Sequence, residues 1–146
     1  MSLSNASENH LIDHLFNNVA YANIGDASGL PASAAAGFFY ISLHTSDPGE
    51  AGDQTTNEIS YTGYGRVAVA RSSAGFTVSG SSASNTAAVT FGTCTAGSGT
   101  ATHFVIGRAS SGAGEIIFSG ALNASLAISA GITPQFAIGA LSASFD

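Results

Sequence analysis

Apolar positions return in two different rhythms along this chain of 146 residues. Near the start, Leu11, Ile12, Leu15, Phe16 and Val19 recur every three or four residues with polar residues between them, the spacing that lines one face of an α-helix. Asn5, followed three positions later by Glu8, makes a capping-box-like start: the Asn side chain accepts from an early backbone N–H and the acid suits the positive end of the helix dipole. The pattern predicts a helix over residues 7–21. A helix of that length is marginal in isolation, so its stripe must be buried against its own sheet or against a partner molecule.

A Gly-, Ala- and Ser-rich connector over 22–36 holds Asn23, Gly25, Asp26, Gly29 and Pro31, all suited to turns. The rhythm then changes to alternation. Residues 38–44 read as a strand with Phe39, Ile41 and Leu43 inward, and 66–71 as another with Val67 and Val69 inward; the longest polar loop, 45–65, lies between them. Further short strands are expected at 75–79, 87–91, 102–107, 115–119, 126–129 and 135–145, separated by Gly- and Ser-rich turns. With no βαβ alternation, this predicts a mostly-β fold: an antiparallel β-sandwich, jelly-roll-like, of about eight strands with one N-terminal α-helix. A single domain over 1–146 is expected, with helix and connector in 1–36 and the sandwich in 37–146. An Ig-like variant stays open, though its disulfide-and-Trp core is unavailable to a chain with one Cys and no Trp, and no repeat of solenoid or propeller length is visible.

Composition sharpens the picture. Leu, Ile, Val and Phe supply 33 of 146 residues, only a little above the level of about 20% at which chains stop forming cores, so the core is lean. Charged residues make up 8%, with no Lys and only Arg66, Arg71 and Arg108 as strong cations. Such a surface repels its neighbours weakly, and a homo-oligomer or larger assembly is the expected working state. A net charge of −6 without clustered cations argues against nucleic-acid partners. No stretch is apolar for long enough to span a membrane, and the first thirty residues lack the basic start and apolar run of an export signal. Cys94 stands alone and reads as a small buried hydrophobe.

Candidate chemistry is sparse. His10, Asp13 and His14 share a helix face at zinc-binding spacing, but Leu11 occupies the place where a zincin helix carries its Glu, and the group reads as a polar helix face. Asp47, Glu50, Asp53 and Glu58 put four carboxylates into one loop; their spacing does not match a calcium loop, and a solvated loop is the plainer reading, with calcium or a host glycan left open. No Gly-x-Ser-x-Gly turn and no Trp platform are present, so a non-enzymatic protein without a cofactor is expected. Tyr61, Tyr64 and Arg66 form an aromatic, cationic turn of the kind enriched at interfaces, or else cover one end of the sandwich. With Leu11, Leu15 and Phe16 they are the candidate partner-facing residues.

The run LHTSDPGEAGDQTTNEISYTGYGRVAVAR from Leu43 to Arg71 resembles a family of small tailed-bacteriophage virion proteins, and THFVIG from Thr102, SGAG from Ser111 and IIFSGAL from Ile116 extend the likeness over most of the chain. Members are described as head-decoration (cement) proteins or as tail-fibre proteins. The resemblance implies a virion component made in the host cytoplasm, with the major capsid protein or tail proteins and identical copies as partners, and it carries over no active-site residue. Decoration of the capsid surface is the preferred expectation, because a fibre subunit usually shows elongated repeats or heptads and none are seen here. A tail-fibre or tail-adaptor role is the alternative, and a carbohydrate-binding sandwich for host attachment a more distant one.

Overall fold

In the computed structural model, which describes residues 2–145, the helical stripe becomes α1, Asn5–Asn17. Its N-cap is Ser4 rather than Asn5: the Ser4 backbone is extended and its Oγ accepts from the Ser7 N–H at 3.4 Å. Ser caps as well as Asn does; the helix begins two residues before the expected start, and Glu8, Ile12 and Phe16 lie on one buried line at four-residue steps. The helix also ends four residues short of expectation. Asn18 turns left-handed (φ 58), and its N–H and that of Val19 both fold back onto the Asp13 carbonyl. Asn is among the few residues that adopt this conformation readily. Val19 thereby leaves the stripe and is 46% exposed.

Among the described residues nine strands follow: β1 Phe38–His44, β2 Val67–Ala70, β3 Phe76–Ser79, β4 Ser82–Asn85, β5 Val89–Thr90, β6 Gly99–Gly107, β7 Ile116–Ile128, β8 Gln135–Phe136 and β9 Ser142–Ser144. They form three sheets, ordered β2-β1-β6-β7, β3-β4-β9 and β5-β8. The ladders β1/β6, β6/β7, β3/β4 and β4/β9 are antiparallel. The mostly-β class with antiparallel sheets and one N-terminal helix is the one the residue pattern predicts, and it is consistent with a β-sandwich. Among the described residues no helix is long and apolar enough to cross a membrane.

Three departures have local causes. β4 occupies a stretch expected to be a turn, because Ser-Ala-Ser-Asn offers no apolar alternation; the segment is extended because it zips against β3 from Phe76↔Asn85 to Ser79↔Ser82 around Gly80 at φ 60. The strands expected at 115–119 and 126–129 fuse into β7, and the gap between them survives as a bulge, since 122–125 have no partner between the pairs His103↔Ala121 and Ala101↔Leu126. The last expected strand divides into β8 and β9.

The chain forms two compact units. The first comprises Met1–Phe38, Ala70–Ala88 and Phe136–Asp146. There α1 lies against β3 and β4, with Phe16 meeting Phe76 edge-on at 4.7 Å. Arg71 closes the C-terminal end of the helix: its Nη2 donates to the His14 carbonyl and its Nε to the Leu15 carbonyl, both at 2.6 Å, while Nη1 donates to Asn18 Oδ1 at 2.8 Å. These carbonyls have no partner inside the helix, and the cation sits at the negative end of its dipole. Asn18 in turn holds the connector, accepting from the Ser33 N–H and donating to the Ser33 carbonyl, each at 2.8 Å. Buried Asn85 ties β4 to the C-terminal segment, accepting from Leu141 N and donating to the carbonyls of Ala87 and Ala137.

The second unit comprises Phe39–Val69 and Val89–Gln135 and carries the four-stranded sheet. Phe39, Ile41 and Leu43 are buried as predicted, joined by Ile59, Phe91, Val105, Ile106 and Ile128. Ser42 and His44, on the other side of β1, are fully buried as well. Cys94 is buried, its Sγ 3.5 Å from the carbonyls of Ala96 and Gly97.

Arg71→Met keeps the aliphatic stem and removes every guanidinium donor from the end of α1. Urea denaturation is expected to show a loss of about 2–3 kcal/mol, because several carbonyls lose a charged partner at once. Phe16→Ala, expected to cost about 3–5 kcal/mol, provides the core yardstick in the same assay.

Candidate functional site

The segments that carry the resemblance converge in the second unit on one polar cluster between β1, the 45–65 loop and the β6–β7 hairpin. The loop returns along β1: Ile59 N donates to the Leu43 carbonyl at 2.9 Å, and Glu58 bridges to His44. That return sets the Glu58 carboxylate before Arg66. Arg66 Nε donates to Glu58 Oε1 at 2.8 Å and Nη2 to Oε2 at 2.7 Å, a two-point pair that matches the planar guanidinium fork. Its other donors reach the hairpin, Nη1 to the Ala109 carbonyl and Nη2 to the Gly112 carbonyl, both at 2.9 Å. The side chains of Arg66 and Glu58 are 3% and 17% exposed. Tyr64 completes the group: its hydroxyl donates to Glu58 Oε1 at 2.9 Å and accepts from Leu43 N at 3.1 Å. Hydrogen bonding to Glu58 holds the Arg66 pKa above its ordinary value, and burial pushes the Tyr64 phenol up, so both remain donors.

Gln54 braces the same hairpin from within. Its fully buried carboxamide accepts from Ala109 N at 2.8 Å and donates to the Tyr40 carbonyl at 3.3 Å, while its backbone N–H donates to the Gly114 carbonyl at 2.9 Å. A Cβ on Gly107 or Gly114 would overlap this carboxamide, which accounts for the final Gly of THFVIG and the final Gly of SGAG. Between them, Gly112 turns the hairpin at φ 71.

His44 lies beside the pair, fully buried. Its Nδ1 is 2.8 Å from the Thr56 carbonyl and therefore carries the proton, leaving Nε2, 2.9 Å from Ser42 Oγ, as an acceptor. Burial drives its pKa below the ordinary value; the Thr56 carbonyl and Glu58 oppose this, and the charges of Arg66 and His103 add to it.

A family model described as "Podophage GP4 fiber I protein gp80" matches residues 2–144. The chain belongs to this family. It is a bacteriophage virion structural protein. No curated protein matches the chain.

In this fibre-family protein the candidate partner-facing residues divide between the two units. Tyr61, Tyr64 and Arg66 come together in the second. Tyr61 is buried, its hydroxyl donating to the Gly92 carbonyl at 2.9 Å and its ring meeting Tyr64 edge-on at 5.3 Å, while Tyr64 stacks on Phe91 at 6.2 Å. Leu11 and Leu15 are half-buried on α1 and Phe16 is fully buried there. The loop carboxylates are used separately: Asp47 accepts from Gly49 N and Asp53 from Thr55 N, closing turns, and Glu58 serves Arg66. The helix histidines also have separate partners, His10 stacking on Tyr21 at 4.6 Å and His14 Nδ1 donating to the Val19 carbonyl at 2.8 Å. Among the described residues no group of three or more His, Cys, Asp or Glu is placed to hold a metal ion. Sequence reasoning passed over Gln54, His44 and the Glu58–Arg66 pairing. All lie inside the resembling run, but half of their partners lie some fifty residues away in the hairpin, where nothing local marks them.

Two outcomes are expected. Arg66→Lys keeps the charge but loses the fork, and should cost about 2–4 kcal/mol in denaturant, with amide exchange accelerating first in 108–114. The second concerns pH. Because the native His44 pKa is lowered, the unfolded chain binds more protons between that value and the ordinary 6.5. The stabilising contribution is complete above that ordinary value and is lost as pH falls through the window. The urea midpoint should therefore drop on acidification there, and His44→Asn, less stable at neutral pH, should show the flatter dependence.

Proposed function

We propose that this chain is a non-enzymatic building block of a phage fibre, present in many identical copies and attached to tail proteins. The observation that carries this reading is the family match over 2–144, under a description that reads "fiber I protein". The architecture supports it. The buried polar groups of the signature segments are spent on one another, as a load-resisting subunit needs, rather than aimed into a cleft. A chain in which 8% of residues are charged has few ions to strip of water where it meets a partner. In such an array each modest interface is multiplied by avidity.

A second reading has its own support. The weakly charged surface and the absence of any elongated repeat also suit a decoration protein that binds the assembled head through the major capsid protein and stabilises the shell by mass action.

Gold-labelled antibody on intact particles and on tailless heads, combined with copy number by quantitative mass spectrometry, separates the two. Label confined to the tail, at up to a few dozen copies, is the expected result. Label over heads, at on the order of hundreds of copies as lattice symmetry requires, would replace it with decoration. Absence from particles would overturn both.

A further inference from the structure

We propose that the outer edge of β7 over residues 116–121 is a docking strand for an extended, cationic segment of a different virion protein. The proposal rests on the reading of the chain as an assembly subunit and names one of its contacts. β7 ends the order β2-β1-β6-β7, so its sheet covers it on one side only. Along such an edge alternate residues direct N–H and C=O groups outward, a template for one more strand. Residues 116–121 contain no charge and no proline, the usual devices that protect an edge. Beyond them the bulge at 122–125 interrupts the ladder, limiting the usable edge to about six residues, an ordinary strand length.

A groove of about 360 Å³ follows this edge. It is lined by residues 116–119, by Glu50 with its neighbours Gly49 and Gly52, and by Glu115. An open edge beside a groove of this kind is the arrangement in which an added strand gains main-chain bonds from the edge and side-chain selection from the wall.

Charge identifies the occupant. Two carboxylates line the groove, and the nearby cation, Arg108, pairs with Glu115 in a contact whose side chains are 65% and 63% exposed. Such a pair is weak and leaves the groove acidic. A second copy of this chain would bring the same carboxylates and, with no Lys and with Arg66 and Arg71 engaged internally, a single exposed cation, Arg108, which already faces its own Glu115. An incoming strand bearing Lys or Arg from another protein meets the groove with complementary charge.

The test has two arms. The full chain is titrated with an acetylated eight-residue peptide of alternating Val and Thr carrying two Lys. Saturable binding that protects the amides of 116–121 from exchange is expected. It should weaken by about tenfold or more in Glu50→Lys, an exposed position, with no change in unfolding midpoint, and it should vanish when alternate peptide amides are N-methylated. In the second arm, Ser119→Cys supplies an exposed thiol while Cys94 stays buried, and a photoreactive maleimide is coupled to it in assembled particles. The expected adduct maps to a Lys- or Arg-bearing segment of a different protein. An adduct with a second copy, no adduct in particles that contain the chain, no saturable peptide binding, or binding indifferent to Glu50→Lys would each overturn the docking strand. The fibre reading fails separately, if the chain is missing from particles.

Discussion

A guanidinium whose side chain is 3% exposed cannot stand without partners, and Arg66 finds them in two separate segments: the returning limb of the 45–65 loop through Glu58 and the β6–β7 hairpin through Ala109 and Gly112. Taking such an ion out of water costs several kcal/mol, so the partners must all be in place together. Each has its own requirement. Glu58 is positioned only if the loop runs back along β1; the hairpin carbonyls are positioned only if Gly112 adopts its left-handed turn and Gly107 and Gly114 leave room for Gln54. Loop path, strand register and hairpin geometry are thereby conditions of one another, and the returning loop and the hairpin meet because a single buried charge needs both of them.

The first unit solves a similar problem with its own arginine. Arg71 binds the last carbonyls of α1 and the side chain of Asn18, and Asn18 binds the connector. In a chain where the large aliphatic residues and Phe supply only 33 of 146 positions, hydrogen-bonded side chains take on structural work that bulky apolar contacts do in richer cores. Gln54, Asn85 and His44, all buried and all bonded, are the same device on a smaller scale. Satisfied polar networks of this kind define one geometry sharply, because a half-formed network leaves buried groups without partners.

For a virion subunit this inward use of polarity has a consequence at the surface. With Arg66, Arg71 and Glu58 bonded internally, Arg108 is the one strong cation left over and the remaining charge is mostly acidic. What the second unit offers outward includes an uncharged strand edge beside an acidic groove.

Local periodicity carried a good part of this fold. Leu11, Ile12, Leu15 and Phe16 announced α1, the alternation of Phe39, Ile41 and Leu43 placed β1 at its observed bounds, and the polar gap inside β7 was visible as a break before it proved to be a bulge. The virion family was also legible, because its segments are contiguous runs. The strand at Ser82–Asn85 was not, since Ser, Ala and Asn carry no alternation and become extended only by pairing with β3 and β9. Nor was the partnership of Arg66 with Glu58, Ala109 and Gly112, which separates residues by up to 46 positions. Residue order alone determined which segments are apolar on one side, because burial leaves a local rhythm. Only the tertiary structure decided which polar side chains are interior, because a buried charge is specified by partners that are distant along the chain.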